Sequence, residues 1–181
     1  MSTSRDHVRE IAFTGIYQLP GAEPSPIDGE EELRKLPDDQ RDRAVNMAAR
    51  RLAFQILYEL DQSRPADADA EAEVRERLKD VADLGPVGAE DVTMFVVGAY
   101  KSRAAADAEF RELAPEWPTH RQAAVDRALL RLAHYEMTSG RTPPRVVVNE
   151  TVELAKHFST EKAPAFINAL LDKVMKRIQP A

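Results

Sequence analysis

The residues best suited to chemistry are a group of arginines, Arg41, Arg43, Arg50 and Arg51, at the head of an apolar-periodic segment. A guanidinium is a planar fork that bonds phosphate oxygens in pairs and stacks on bases, which suits RNA. Projected on a helix, Arg43, Arg50 and Arg51 fall within about one-third of a turn of each other. A solvated charged face has the same pattern, so the arginines alone leave both readings open. Gln55 and Tyr58 follow one and two turns further on. There they would hydrogen-bond to or stack on an unpaired base, although a tyrosine at the core edge is an equal reading. Lys101 and Arg103, after Gly98, either extend this basic track or lie along the surface with their heads in water.

Catalytic patterns are missing. The seven glycines form no GxGxxG, GxxxxGK[ST] or GxSxG, and there is no HExxH. The absence of cysteine removes disulfides, thiolate metal sites and a cysteine nucleophile together. The four histidines are scattered. No catalytic residue, metal site or cofactor is therefore expected. Of 181 residues, 43% are hydrophobic and 31% charged, and the formal charge is −6. That balance suits a globular chain and works against non-specific nucleic-acid binding, so any RNA site must be a local patch or borrow charge from a partner. No apolar run approaches a membrane span, and the N-terminus carries no signal-peptide core. A cytoplasmic protein with no membrane contact is expected.

The elements that must position these groups read as all-α, with six or seven helices. Asp38 or Asp39 would cap a long amphipathic helix running to about Gln62, with Leu52, Ile56, Leu57 and Leu60 on its apolar stripe. A thinner stripe at Val74, Leu78 and Val81 predicts a helix over 71–84. The span 87–113 predicts a long helix split near Gly98. Thr119 would cap the next, with Val125, Leu129 and Leu132 inward. Pro143–Pro144 would start another, running to Phe158. The run Val146–Val148 favours a strand locally, but Val147, Thr151, Leu154 and Phe158 keep the helical period. Ser159 or Thr160 would cap the last, with Phe166, Leu170, Leu171 and Val174 inward. Asn149 and Glu150 read as a buried pair joining two helices, and Trp117 as packed over a turn between bundles.

Residues 1–40 differ in composition. Arg5–Leu19 predicts a short helix, and Pro20–Asp39 reads as a mobile acidic linker, giving an N-terminal extension (1–40) and a main domain (41–181). Residues 8–19 echo 49–60, with five of twelve positions identical, but the match stops at residue 20, too short for a solenoid.

Three stretches together resemble the NusB family of transcription antitermination factors. They are RRLAFQILYELD (50–61), VDRALLRLAHYEM (125–137) and VVNETVELAKHFS (147–159), the last followed by AFINALLDKV (165–174). The resemblance covers about residues 41–179. It implies a fold of two packed helical bundles that binds boxA-type single-stranded RNA together with the ribosomal protein NusE. It also implies indirect contact with the RNA polymerase antitermination complex, in transcription of ribosomal RNA operons. On it, the RNA-binding residues are Arg43, Arg50, Arg51, Gln55, Tyr58, Lys101 and Arg103. Residues facing NusE are Asp126, Tyr135, Phe158, Lys162 and Phe166. Asn46–Met47–Ala48 stand where the family would carry further arginines, which implies weaker RNA affinity. A helical protein–protein adaptor without RNA binding is the alternative, and a homodimer through the helical surface stays open.

Overall fold

The computed structural model describes residues 29–79 and 88–179. The helix expected over 5–19, most of the acidic linker and the end of the 71–84 helix lie outside them. Every regular element among the described residues is helical. They are α1 (Gly29–Lys35), α2 (Asp38–Ser63), α3 (Ala70–Lys79), α4 (Ala89–Lys101), α5 (Arg103–Leu113), a 3₁₀ turn (Thr119–Arg121), α6 (Ala124–Thr138), α7 (Pro144–Phe158) and α8 (Ala163–Ile178). The chain forms two packed helical bundles. In the first, α2 packs on α4, and α3 closes against both; in the second, α6, α7 and α8 pack on one another. Both α2 and α4 also contact α6, which joins the bundles.

The long helix α2 is the spine. Its 26 residues make a rod about 39 Å long. Leu52, Leu57 and Leu60 on its apolar stripe are fully buried, as are Leu129 and Leu130 of α6 and Ile167 and Leu171 of α8. The start of α2 lies where the acids Asp38 and Asp39 favour the helix dipole. Neither acid caps it by a side-chain bond. Instead Arg41 reaches back and donates to the carbonyls of Leu33 and Leu36. Part of the expected linker is thus ordered: Leu33 of α1 and Leu36, just past its end, are both buried in the core.

Three boundaries differ from the sequence reading. The 87–113 span breaks at Ser102, not Gly98. The Ser102 hydroxyl donates to the Gly98 carbonyl, and its N–H does the same, which ends α4. Gly98 has a different purpose: a Cβ there would sit 2.1 Å from the Tyr135 ring, so glycine allows α6 to approach α4. Thr119 starts only a 3₁₀ turn, and α6 begins at Ala124. Neither Ser159 nor Thr160 caps α8; Ser159 turns instead to Asp126. As expected, Pro144 opens α7, with Val147 and Val148 buried and Val146 left 43% exposed. Trp117 is not packed away: it is 49% exposed.

Candidate nucleic-acid interface

The predicted arginines separate because α2 turns roughly 100° per residue. Arg50 and Arg51 are sequence neighbours on different faces. Arg50 points toward α6, where its Nε and Nη2 donate to the two carboxylate oxygens of Glu136 at 2.7 and 2.6 Å. Both side chains are buried, and Thr142 also donates to Glu136 at 3.2 Å. Burial pulls the Arg50 guanidinium toward its neutral form; the adjacent Glu136 charge more than offsets this, and Glu150 adds to it, so Arg50 stays firmly charged. A guanidinium held in this way has no face left for phosphate. The expectation that Arg50 contacts RNA is corrected on that ground: it ties α2 to α6.

Arg43 remains accessible, with its side chain 46% exposed and 3.7 Å from the buried Glu150. The expected Asn149–Glu150 pair is not formed as such. Asn149 is exposed, and Glu150 faces arginine.

Arg43 lies on a groove of about 720 Å³ formed by the first half of α2, the start of α4 and the turn into α7. Arg141 stands on the same groove with no ion pair among the described residues. Asn46 and Asn149 present amide edges, and Phe95 and Val146 give it partly exposed apolar surface. Four carboxylates, Asp39, Asp42, Asp91 and Glu150, line it too. Such a groove can hold unpaired bases on apolar and amide surface while its two outward arginines take phosphates. Its acids oppose the phosphates, which keeps the attraction modest. Arg141 and Phe95 were not singled out by sequence, and Asn46 was noted only as standing where an arginine was expected. The only signal for Val146 was its place off the Val147–Thr151–Leu154 stripe.

Arg51 faces the other side. Its guanidinium lies over the Phe158 ring, 5.4 Å from the centroid, and Phe158 packs on Phe54 at 5.4 Å. Gln55 and Tyr58, one and two turns on, continue this stripe and are half-buried. Arg51 and Phe158, expected in different interfaces, therefore touch, but Arg51 is as buried as Arg50, at 7% exposed, so its expected RNA contact is corrected as well. Asp126 is buried and accepts from the Ser159 hydroxyl at 2.5 Å, fastening the start of α6 to the end of α7. Phe166 is half-buried and Lys162 exposed around the same corner. Tyr135 does not join them. Nine residues from Asp126, it lies on the opposite side of α6, against Gly98. Lys101 and Arg103 lie at the far end of α2 from Arg43. Arg103 pairs with Asp67 at 2.7 Å and stacks on Tyr100 at 4.0 Å, while Lys101 is exposed.

No group of three or more His, Cys, Asp or Glu that could hold a metal occurs among the described residues. Nor is any described helix long and apolar enough to cross a membrane.

The NusB family model matches residues 47–176. The chain belongs to the NusB family. Among curated relatives, the transcription antitermination protein NusB of Elusimicrobium minutum is 40% identical over 103 residues, 56% of this chain and 72% of that protein. NusB of Clostridium tetani is 39% identical over 97 residues, 53% of this chain and 63% of that protein. The solved structure of T. maritima NusB aligns with a TM-score of 0.62 at 27% identity, over 72% of this chain and 89% of that one. A crystal structure of the antitermination factors NusB and NusE in complex with dsRNA aligns with a TM-score of 0.63 at 23% identity, over 74% and 97%. At that identity the likeness speaks for the fold. Family membership fixes the NusB fold; the groove and the Arg51–Phe158 contact are this chain's own geometry on it.

Proposed function

We propose that this chain is an antitermination factor that binds boxA-type single-stranded RNA jointly with NusE, and so acts on transcription of ribosomal RNA operons in the cytoplasm. The observation that carries this is the groove, which puts two outward arginines beside amide edges and apolar surface on a NusB fold. In this reading Arg43 and Arg141 take phosphates, while Asn46 and Asn149 meet base edges. Gln55 and Tyr58 continue the RNA track on the next face of α2, while the buried Arg51 backs the Phe158 ring rather than reaching RNA itself. Phe158, Lys162 and Phe166 form the NusE surface, where the aromatic rings provide anchoring area, and the buried Asp126 holds this corner in place through Ser159. Lys101 and Arg103 lie too far along α2 to join the groove, and Tyr135 is assigned to packing. The family match begins at Met47, which favours reading the segment before it as an extension, but Leu33, Leu36 and the start of α2 at Asp38 pack with the main domain. Contact with RNA polymerase would come through NusE.

The groove's four carboxylates favour weak binding by this chain alone. They also give the alternative its basis: a NusB-fold adaptor that meets NusE without RNA. Fluorescence anisotropy of a boxA-type RNA and a scrambled control, with and without NusE at two salt concentrations, separates the two. Selective binding that tightens with NusE supports the RNA reading; NusE binding with no RNA preference overturns it.

A further inference from the structure

A second concave site lies at the opposite end of α2, some 30 Å from Arg43 along the helix. It is a pocket of about 470 Å³, within the range of small-ligand sites, and arginines dominate its lining. Two acids are present, Asp61 and Asp107, but both are taken by one cation. Arg131 donates through Nη1 to Asp61, at 2.7 and 2.6 Å to its two oxygens. It donates through Nε and Nη2 to Asp107 at 2.9 and 2.6 Å. The side chains of Asp61 and Arg131 are only 4% and 11% exposed. This triad forms the back wall and leaves other cations toward solvent.

Three arginines and a histidine supply that front. Arg127 has only a 3.9 Å approach to Asp61 and a 3.4 Å bond to the Thr119 carbonyl. Arg103 pairs with Asp67 at 2.7 Å and is held flat on Tyr100, itself fixed by a 2.7 Å bond from its hydroxyl to the Pro65 carbonyl. His120 is exposed. Arg64 is the most telling. It closes α2 in the left-handed conformation, with φ 51°, at a position where glycine is the ordinary choice. It is the only non-glycine residue with positive φ among the described residues, and its side chain has no ion pair there. Arg64 is exposed at the mouth of this arginine-lined pocket, so a backbone conformation costly for folding leaves a cation without an ion pair beside it, which favours anion binding.

We infer that the pocket bounded by Arg64, Arg103, Arg127 and His120 binds a phosphate group. The phosphate comes either from an RNA backbone or from a free phosphate compound. The site stands apart from the groove and does not rest on the RNA reading above.

The test uses the full chain and inorganic pyrophosphate, followed by NMR at the backbone amides of Arg64, His120 and Arg127. Saturable shifts at these amides are expected. Arg64→Gly removes the cation while relieving the positive φ, so the variant should fold with an unchanged or higher melting temperature and bind pyrophosphate roughly tenfold more weakly. Arg111→Ala, an exposed cation elsewhere, should bind normally. No shifts, unchanged binding by Arg64→Gly, or equal weakening by Arg111→Ala would each overturn the inference. A short single-stranded RNA identifies the source. Weaker RNA binding by Arg64→Gly, with competition by pyrophosphate, assigns the site to RNA; unchanged RNA binding assigns it to a free phosphate compound. Arg43→Glu, in the groove, should leave pyrophosphate binding intact, so failure of the RNA proposal is distinguishable from failure of this one.

Discussion

Replacing Arg50 by alanine separates a structural arginine from an RNA ligand. In the wild-type chain Arg50 and Glu136 form a two-pronged pair at 2.7 and 2.6 Å, with side chains 8% and 1% exposed. Arg50→Ala leaves the Glu136 carboxylate in the interior with only the Thr142 hydroxyl to meet it. Breaking one side of a buried pair costs about 3–5 kcal/mol, because the remaining charge loses its partner and stays out of water. For a chain of this size about 2–4 °C of melting temperature accompanies each kcal/mol, so the midpoint should fall by roughly 6–20 °C. Thermal and urea unfolding followed by circular dichroism read this directly. The companion Arg50→Met/Glu136→Leu removes both charges and fills the space. It should recover most of the loss, since apolar replacement of a whole buried pair is often near neutral. If Arg50→Ala unfolds within about 1 kcal/mol of wild type yet loses RNA affinity, Arg50 is an RNA contact and the assignment made here is wrong.

Three further predictions address other contacts. Gly98→Ala should destabilise by about 1–3 kcal/mol through collision with Tyr135, despite alanine's better helix propensity. In a Tyr135→Ala background the same change should become stabilising, and unfolding midpoints of the four proteins in that cycle check it. The Arg177 hydrogen bond, and then its charge, lower the Glu112 carboxyl pKa, linking α5 to α8. Its stabilising contribution is therefore present above the ordinary carboxylate range and fades as pH falls through the lowered value. An NMR titration should find Glu112 protonating at lower pH than an unpaired glutamate, and Arg177→Ala should restore the ordinary midpoint. Finally, Phe158→Ala should loosen both Phe54 and Arg51 and weaken NusE binding, whereas Phe158→Leu should keep the fold and lose the Arg51 stacking, worth about 0.5–1 kcal/mol. Calorimetry with NusE distinguishes them.

Much of the fold was legible because helical period and proline placement act locally. The apolar stripe of α2 and the Pro144 start of α7 depend on residues a few positions apart, and both came out as read. The caps were not legible. Thr119 and Ser159 are good N-cap types, but a serine near a helix end can bond elsewhere, and Ser159 is drawn to Asp126, 33 residues away. Gly98 was read as a break because glycine weakens helices; its actual reason is an aromatic ring on another helix. The site was less legible than the fold. Arg50 and Arg51 look alike in sequence and both end up buried, but α6 takes one as a tie to Glu136 while the other lies over Phe158. Arg141 and Asn46 gained meaning because the turn into α7 meets the start of α2, a juxtaposition no local pattern encodes. The left-handed Arg64 had no sequence signal, since arginine is rarely placed where glycine belongs.

The most direct test of the central claim is a salt-dependent titration of boxA-type RNA into the chain with NusE, comparing wild type with Arg43→Glu/Arg141→Glu. If the groove carries RNA through these two arginines, the variant should bind much more weakly, and the slope of log affinity against log salt should shrink by about two phosphate contacts. NusE affinity should be unchanged. Equal RNA affinity and an equal salt slope in the two proteins would contradict the account and move RNA recognition away from this groove.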